Sequence, residues 1–272
     1  MTAYNREKYI EEAIRSVLNS TFSDFELIIV DDCSSDNTVG LAKNYLADER
    51  VRLYVNPKNL GQFRNRNYAA SLAVGMFIKY FDSDDIIYPH GLQLLIDGVT
   101  QYPEACMALS NQGDSFFKLP HMFTSEEALL QHYTKGGLLF MGPSGTIIKR
   151  SDFLSVGGFE DYGVPSDNHL TLKLASIKPI VTVQRDLFFW RRHPDQAFEG
   201  ETHDINIANN FIFNTSVIKT QKCLSPELTT FLLKNQKKIF LSNLTKLALK
   251  GKFLKVFSLY KQSKVDQNRK FN

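Results

Sequence analysis

Apolar positions in the first hundred residues follow two alternating periods. Tyr9, Ile10, Ala13, Ile14, Val17 and Leu18 recur at helical spacing, which gives one apolar face. A compact apolar run over 25–30 follows and ends in Asp31-Asp32, the pattern of a buried strand with two carboxylates at its C-terminal end. Ser34, Ser35, Asp36 and Asn37 offer N-caps for a helix over 38–47. The pattern then predicts a strand at 51–55, a helix at 64–73 and a strand at 76–81 that runs into Asp82-Ser83-Asp84-Asp85. Such alternation defines an α/β chain with a mainly parallel central sheet flanked by helices. Ligands of these sheets collect beyond the carboxyl ends of the strands, so two strands ending in acids point to one site.

The second half is less regular. Strands are expected at 105–110, 145–149 and 180–183 and helices at 125–133 and 168–175, punctuated by Gly136-Gly137, Gly142-Pro143 and Gly157-Gly158. From 204 to 260 the pattern is helical, with Leu232, Leu244, Leu247, Val256 and Phe257 among its apolar positions. The expected organisation is two halves of one domain, 1–110 and 111–203, and a helical C-terminal extension, 204–272.

Charge sharpens that division. The 272 residues carry a formal net charge of +3, but residues 221–272 hold twelve Lys or Arg against Glu227 and Asp266. That extension is therefore +10 and residues 1–220 are −7. Three readings of the basic tail stay open: a helical subdomain with a solvated lysine face, peripheral contact of 221–272 with an anionic membrane, and nucleic-acid binding. No recognised nucleic-acid motif accompanies the charge, so no nucleic-acid partner is expected. No apolar run approaches the roughly 18–20 residues of a membrane span. Asn5, Arg6, Glu7 and Lys8 interrupt any secretory leader. Cys33, Cys106 and Cys223 form neither a metal spacing nor an even disulfide set. These features suit a cytoplasmic chain, at the inner membrane face if the tail touches lipid.

Asp82-x-Asp84 at a strand end can hold a hard divalent cation, which in turn can bridge diphosphate oxygens; a solvated, capped turn is the plainer alternative. Asp31-Asp32 can accept a base N–H or form an ordinary acidic turn. Set in order, Thr2-Ala3-Tyr4-Asn5, Val30 to Thr38, Asn59-Leu60-Gly61, Asn65-Arg66-Asn67 and Phe81 to Asp85 resemble glycosyltransferase family 2. The resemblance implies a GT-A fold, Rossmann-like, and an inverting transfer of a sugar from a nucleotide-sugar donor, by resemblance a UDP-sugar, to a saccharide or lipid-linked hydroxyl acceptor in bacterial surface polysaccharide or glycolipid assembly. It implies that Thr2 and Tyr4 hold the base, Asp32 takes its imide N–H, Arg66 sits beside the nucleotide, Asp82 lies near the ribose or metal-bound water, and Asp84 binds Mn2+ or Mg2+.

Gly157-Gly158-Phe159-Glu160 resembles the glycine pair before the family's catalytic loop, which makes Asp167 the general base. Ser166 stands where the family usually has a second acid. A helix N-terminus would lower the Asp167 pKa and weaken it as a base. Trp190-Arg191-Arg192-His193 resembles a late element in which Arg191 offsets leaving-group charge and His193 lies near the metal. The family's first strand is expected to precede Thr2, so the sheet here reads as cut short. Two other classes compete: a non-catalytic nucleotide-sugar-binding relative, and a nucleotidyltransferase, which would need a Gly-rich basic loop that the N-terminal region lacks.

Overall fold

A computed structural model describes residues 1–111, 117–160, 166–193 and 203–265. Asp266, Arg269 and Lys270 of the basic tail lie outside the described residues. In chain order the elements are β1 (Thr2–Ala3), α1 (Ile10–Leu18), β2 (Leu27–Asp31), α2 (Thr38–Lys43), β3 (Val51–Val55), α3 (Gln62–Ser71), β4 (Phe77–Ile78), β5 (Ile86–Ile87) and α4 (Gly91–Gln101). There follow β6 (Met107–Ser110), β7 (His121–Phe123), α5 (Ser125–Gln131) with a π-helical turn His132–Gly136, a 3-10 turn Pro143–Gly145, β8 (Thr146–Lys149) and α6 (Arg150–Ser155). The remainder is α7 (Ser166–Ile177), β9 (Ile180–Val183), β10 (Phe188–Phe189), α8 (His203–Thr220), α9 (Pro226–Leu249) and α10 (Phe253–Val265).

The chain divides into two compact units. The first comprises Met1–Ala128 and Leu138–Arg191, the second Leu129–Gly137 and Arg192–Asn272. The second unit thus takes in a short segment, Leu129–Gly137, that the sequence pattern places within 111–203.

In the first unit β1, β2 and β3 form a parallel sheet in that order, with Thr2 opposite Val30 and Leu27 opposite Val51. A bridge between Thr2 and Asp82 joins its edge to the five-stranded sheet β4-β8-β6-β9-β7, in which only β6 and β9 are parallel. β1 is the edge strand of the three-stranded sheet. Its ladder runs from the Met1 nitrogen on the Ile28 carbonyl (2.8 Å) to the Asp32 N–H on the Ala3 carbonyl (2.8 Å). β2 is buried along all five residues, as its uninterrupted apolar run requires, and carries the paired carboxylates to the sheet's C-terminal edge. Ile10, Ala13, Ile14 and Val17 put the apolar face of α1 into the main core beside Leu27, Ile29, Leu95 and Val181. Each fully buried Ile or Leu there contributes about 1.5–3 kcal/mol.

The strand expected over 76–81 pairs only at Phe77 and Ile78. Beyond them the backbone leaves the ladder, Lys79 turns toward the loop before β8, and Tyr80 and Phe81 remain buried without strand pairing. The second unit holds α8, α9 and α10, with Ala208, Phe240, Leu244, Leu247 and Leu259 in one apolar cluster. Ser225 caps α9 by accepting from the Leu228 N–H, and Pro226 follows at a position that needs no donor.

Candidate active site

Two loops at the C-terminal edge of the sheet lock one another before any ligand arrives. Asn5 accepts from the Ser35 N–H (2.9 Å) and donates its own N–H to Ser34 Oγ (2.8 Å). The Arg6 N–H meets Thr38 Oγ1 (2.7 Å), the Glu7 N–H meets Asp36 Oδ2 (3.0 Å), and Glu7 accepts from the Asn37 N–H (2.9 Å). Ser34 in turn binds both oxygens of buried Asp31. Asn5 and Cys33 take positive φ, 52° and 66°, to make these turns. The polar run 34–38 therefore holds the loop 4–7 in place as well as opening α2.

Asp32 is buried and accepts three hydrogen bonds, from Asn56 Nδ2 (2.8 Å) and the backbone N–H groups of Leu60 (2.8 Å) and Gly61 (2.9 Å). Gly61, at φ 84°, adopts a conformation that suits glycine. A carboxylate offers about four acceptor directions, so among the described residues one remains on Asp32. Asn56, which sequence reasoning missed, and Asn65, to which it gave no role, continue this chain, since Asn56 donates to Asn65 Oδ1 (2.9 Å) and Asn65 donates to the Val30 carbonyl (3.2 Å).

The centre of the site is Arg66. Its side chain is 2% exposed on α3, and its fork donates Nη1 to Asp167 Oδ1 (2.5 Å) and Nη2 to Asp82 Oδ1 (2.7 Å). Phe63 and Phe159 place their rings 5.8 and 5.5 Å from the guanidinium carbon. Residues from three distant parts of the chain, α3, the end of the β4 segment and the first turn of α7, thus meet through one cation. Burial raises the Asp167 pKa above the ordinary carboxylate value, with Asp82 acting in the same sense and Arg66 opposing. The lowering expected from the helix N-terminus is overturned, because desolvation of this carboxylate is the largest effect.

The turn at the glycine pair is closely packed. Asn67 donates to the Phe159 carbonyl (2.8 Å) and accepts from the Phe159 N–H (2.9 Å). Gly158 has φ 72°, and a Cβ there would lie 2.6 Å from Asn67 Oδ1 and 2.9 Å from the Phe153 ring.

Asp84 pairs with Arg6, Nε to Oδ2 at 3.0 Å, and its carbonyl accepts from Arg191 Nε (2.9 Å). Arg191 also reaches Glu12 and lies over Tyr9, while its N–H meets Asp85 Oδ1 (3.2 Å). Asp85 is buried and accepts from Ser144 Oγ (2.6 Å); burial, helped by Asp82 and Asp84, pushes its pKa up to about 7. Lys79 donates to the carbonyls of Tyr80, Pro143 and Ser144, and burial lowers its pKa to about 7. Lys79 and Ser144 together bind the 142–145 loop to the carboxylate turn. Neither was legible as a site residue, since only the fold brings 144 next to 82–85; Arg6, three residues before the first predicted helix, had the single signal of sharing a loop with Tyr4.

Thr2 sits in β1 opposite Val30 and bridges Asp82, and Tyr4 follows it, 47% exposed. The first unit therefore brings Thr2, Tyr4, Asp32, Arg66, Asp82, Asp84, Asp167 and Arg191 to one edge. His193 is buried and belongs to the second unit. Among the described residues no group of three or more His, Cys, Asp or Glu side chains forms a ready metal cage.

The profile of glycosyl transferase family 2 matches residues 1–157, more than half of the chain, and the protein belongs to that family. Relatives match over about a third of its length. The UDP-Glc:alpha-D-GlcNAc-diphosphoundecaprenol beta-1,3-glucosyltransferase WfgD of Escherichia coli is 40% identical over 96 residues, 35% of this chain and 38% of that protein. The Escherichia coli chondroitin synthase is 38% identical over 96 residues, 35% of this chain and 14% of its own. These matches thus span well under half of either relative. Among solved structures, Staphylococcus aureus TarS 1-349 superposes with a TM-score of 0.70 at 19% identity, covering 98% of this chain and 78% of that one. A mannosyltransferase from Pyrobaculum calidifontis, in complex with GDP-Man and Mn2+, gives 0.60 at 13% identity over 98% of this chain and 79% of its own. The likeness in fold establishes the GT-A architecture expected from the sequence.

Proposed function

We propose that this chain is an inverting glycosyltransferase that moves a sugar from a UDP-sugar to a hydroxyl acceptor, saccharide or lipid-linked, in bacterial surface polysaccharide or glycolipid assembly. The observation that carries the reading is the Arg66 bridge between Asp82 and Asp167. It sets a carboxylate of raised pKa beside the strand-end acids, where a donor's reacting carbon belongs in an α/β sheet. WfgD is named as a UDP-glucose enzyme and TarS was solved with UDP-GlcNAc, which favours uracil as the base.

In this reading Thr2 and Tyr4 border the base and the open acceptor direction of Asp32 takes its imide N–H. Asp84 and Asp82 supply hard oxygen donors, and the second oxygen of Asp82 makes no hydrogen bond among the described residues. That donor set would fit Mn2+ or Mg2+, with Asp84 as its direct ligand. A cation held there would neutralise charge developing on the departing diphosphate. Arg191, fixed against the Asp84 carbonyl and Glu12, adds positive charge at the same turn. Asp167 removes the acceptor proton as that oxygen attacks, and Arg66 keeps its carboxylate oriented.

The test is a thermal-unfolding screen of UDP-, GDP- and dTDP-sugars with and without Mn2+. A shift for at least one UDP-sugar that EDTA removes is expected. No shift for any nucleotide sugar in the presence of metal would sink the reading.

A further inference from the structure

The second unit carries a surface that the transfer chemistry leaves unused. Helix α10 packs Leu259 into the cluster with Ala208, Phe240, Leu244 and Leu247, and Val256 packs against that cluster. Its opposite side is apolar as well. Phe253 is 68% exposed, Leu254 91%, Phe257 70% and Tyr260 43%, and Leu249 at the end of α9 is 83% exposed. At 100° per residue, Phe253, Phe257, Tyr260 and Lys264 fall within about 60° of one another on the helix surface. Lys264 lies 4.8 Å over the Tyr260 ring. A helix that is apolar on both sides has its second side meant for something other than water.

The charge around that stripe selects the occupant. From residue 228 to 265 the chain holds nine lysines and no Asp or Glu. A second copy of the chain would bring the same positive field to the contact, and like charges oppose such pairing. An anionic bilayer offers the complement, because Phe and Leu enter the boundary between headgroups and acyl chains while lysines extend to the phosphates. No described helix is long and apolar enough to cross a membrane.

We propose that Leu249 and the Phe253, Leu254, Phe257 and Tyr260 stripe of α10, rimmed by Lys250, Lys261 and Lys264, dock the protein on the surface of an anionic membrane. The surface lies within one unit.

Co-sedimentation of the full chain with vesicles decides it, with light scattering to report self-association. Binding to vesicles of equal parts phosphatidylglycerol and phosphatidylcholine is expected to exceed binding to phosphatidylcholine alone by about tenfold and to fall as salt rises. The exposed triple variant Phe253→Ser, Leu254→Ser, Phe257→Ser should bind about tenfold more weakly with an unchanged unfolding temperature. Lys250→Gln, Lys261→Gln and Lys264→Gln together should erase the preference for phosphatidylglycerol. Absence of binding, equal binding to both vesicles, binding that survives the serine variant, or a concentration-dependent dimer that the serine variant dissolves would each overturn the proposal.

Discussion

Arg66 is worth more as a fork than as a charge. It ties two carboxylates that would otherwise repel, and its side chain is 2% exposed, so a lysine at this position keeps the charge but reaches only one of them. Arg66→Lys is expected to cost roughly 1.5–3 kcal/mol in denaturant unfolding, the value of one lost charge-assisted hydrogen bond. The Asp167 carboxylate acts as a base only when ionised, and its pKa is raised by burial against the opposing pull of Arg66. Transfer rate should therefore fall as pH drops through a pKa above the usual carboxylate value. In Arg66→Lys that limb should move to higher pH, since the attraction holding the proton off is weakened. A pH–rate profile unchanged by the substitution would separate Arg66 from the base.

At the scale of elements, close approach explains both stability and what the sequence pattern hid. Gly158 meets Asn67 and Phe153 with no room for a methyl group and at positive φ, so Gly158→Ala should destabilise by about 2 kcal/mol or more and disturb the hydrogen-bonded pair of Asn67 and Phe159. Unfolding within 0.5 kcal/mol of the parent would contradict that account. A second prediction concerns the π-helical turn after α5. His132 is buried and its pKa is pushed down to about 3 by desolvation, so it stays neutral in the fold while the unfolded chain titrates near 6.5. Between those values the unfolded state binds more protons, and stability falls as pH falls. At pH 5 the loss is about 2 kcal/mol, and His132→Gln should flatten the dependence measured by urea unfolding at pH 7 and 5.

Helix α4 shows the other side of this legibility. Leu92, Leu95 and Val99 repeat at helical spacing, yet Gly91 and Gly98 lower the helical propensity of the segment and no helix was expected there. Both glycines are needed for packing: a Cβ on Gly98 would lie 2.3 Å from Val183 Cγ1 and one on Gly91 2.3 Å from the Leu187 carbonyl. Strands β3 and β9 matched their expected bounds because their apolar runs are short and cleanly ended. The strand over 76–81 did not, because Tyr80 and Phe81 are buried by packing outside the ladder, which an apolar run alone cannot reveal.

Across the whole molecule, the carboxylates after β2 and after the segment 76–81 point to one edge from the sequence pattern, and the structure brings Asp32, Asp82, Asp84 and Asp167 there. What joins them was not legible. The Arg66 to Asp167 pair spans 101 residues and the Ser144 to Asp85 pair 59, and no local period encodes such contacts. The central claim is that Asp167 moves the acceptor proton while the rest of the edge binds the donor. Asp167→Asn keeps the side chain's size and a hydrogen-bonding oxygen toward Arg66 but removes the base. The decisive measurement compares UDP-sugar affinity and transfer turnover in Asp167→Asn and the parent, with Mn2+ present. The expected result is a donor Kd within about threefold of the parent and turnover lower by about 10²–10⁴-fold; turnover retained within tenfold would contradict the account.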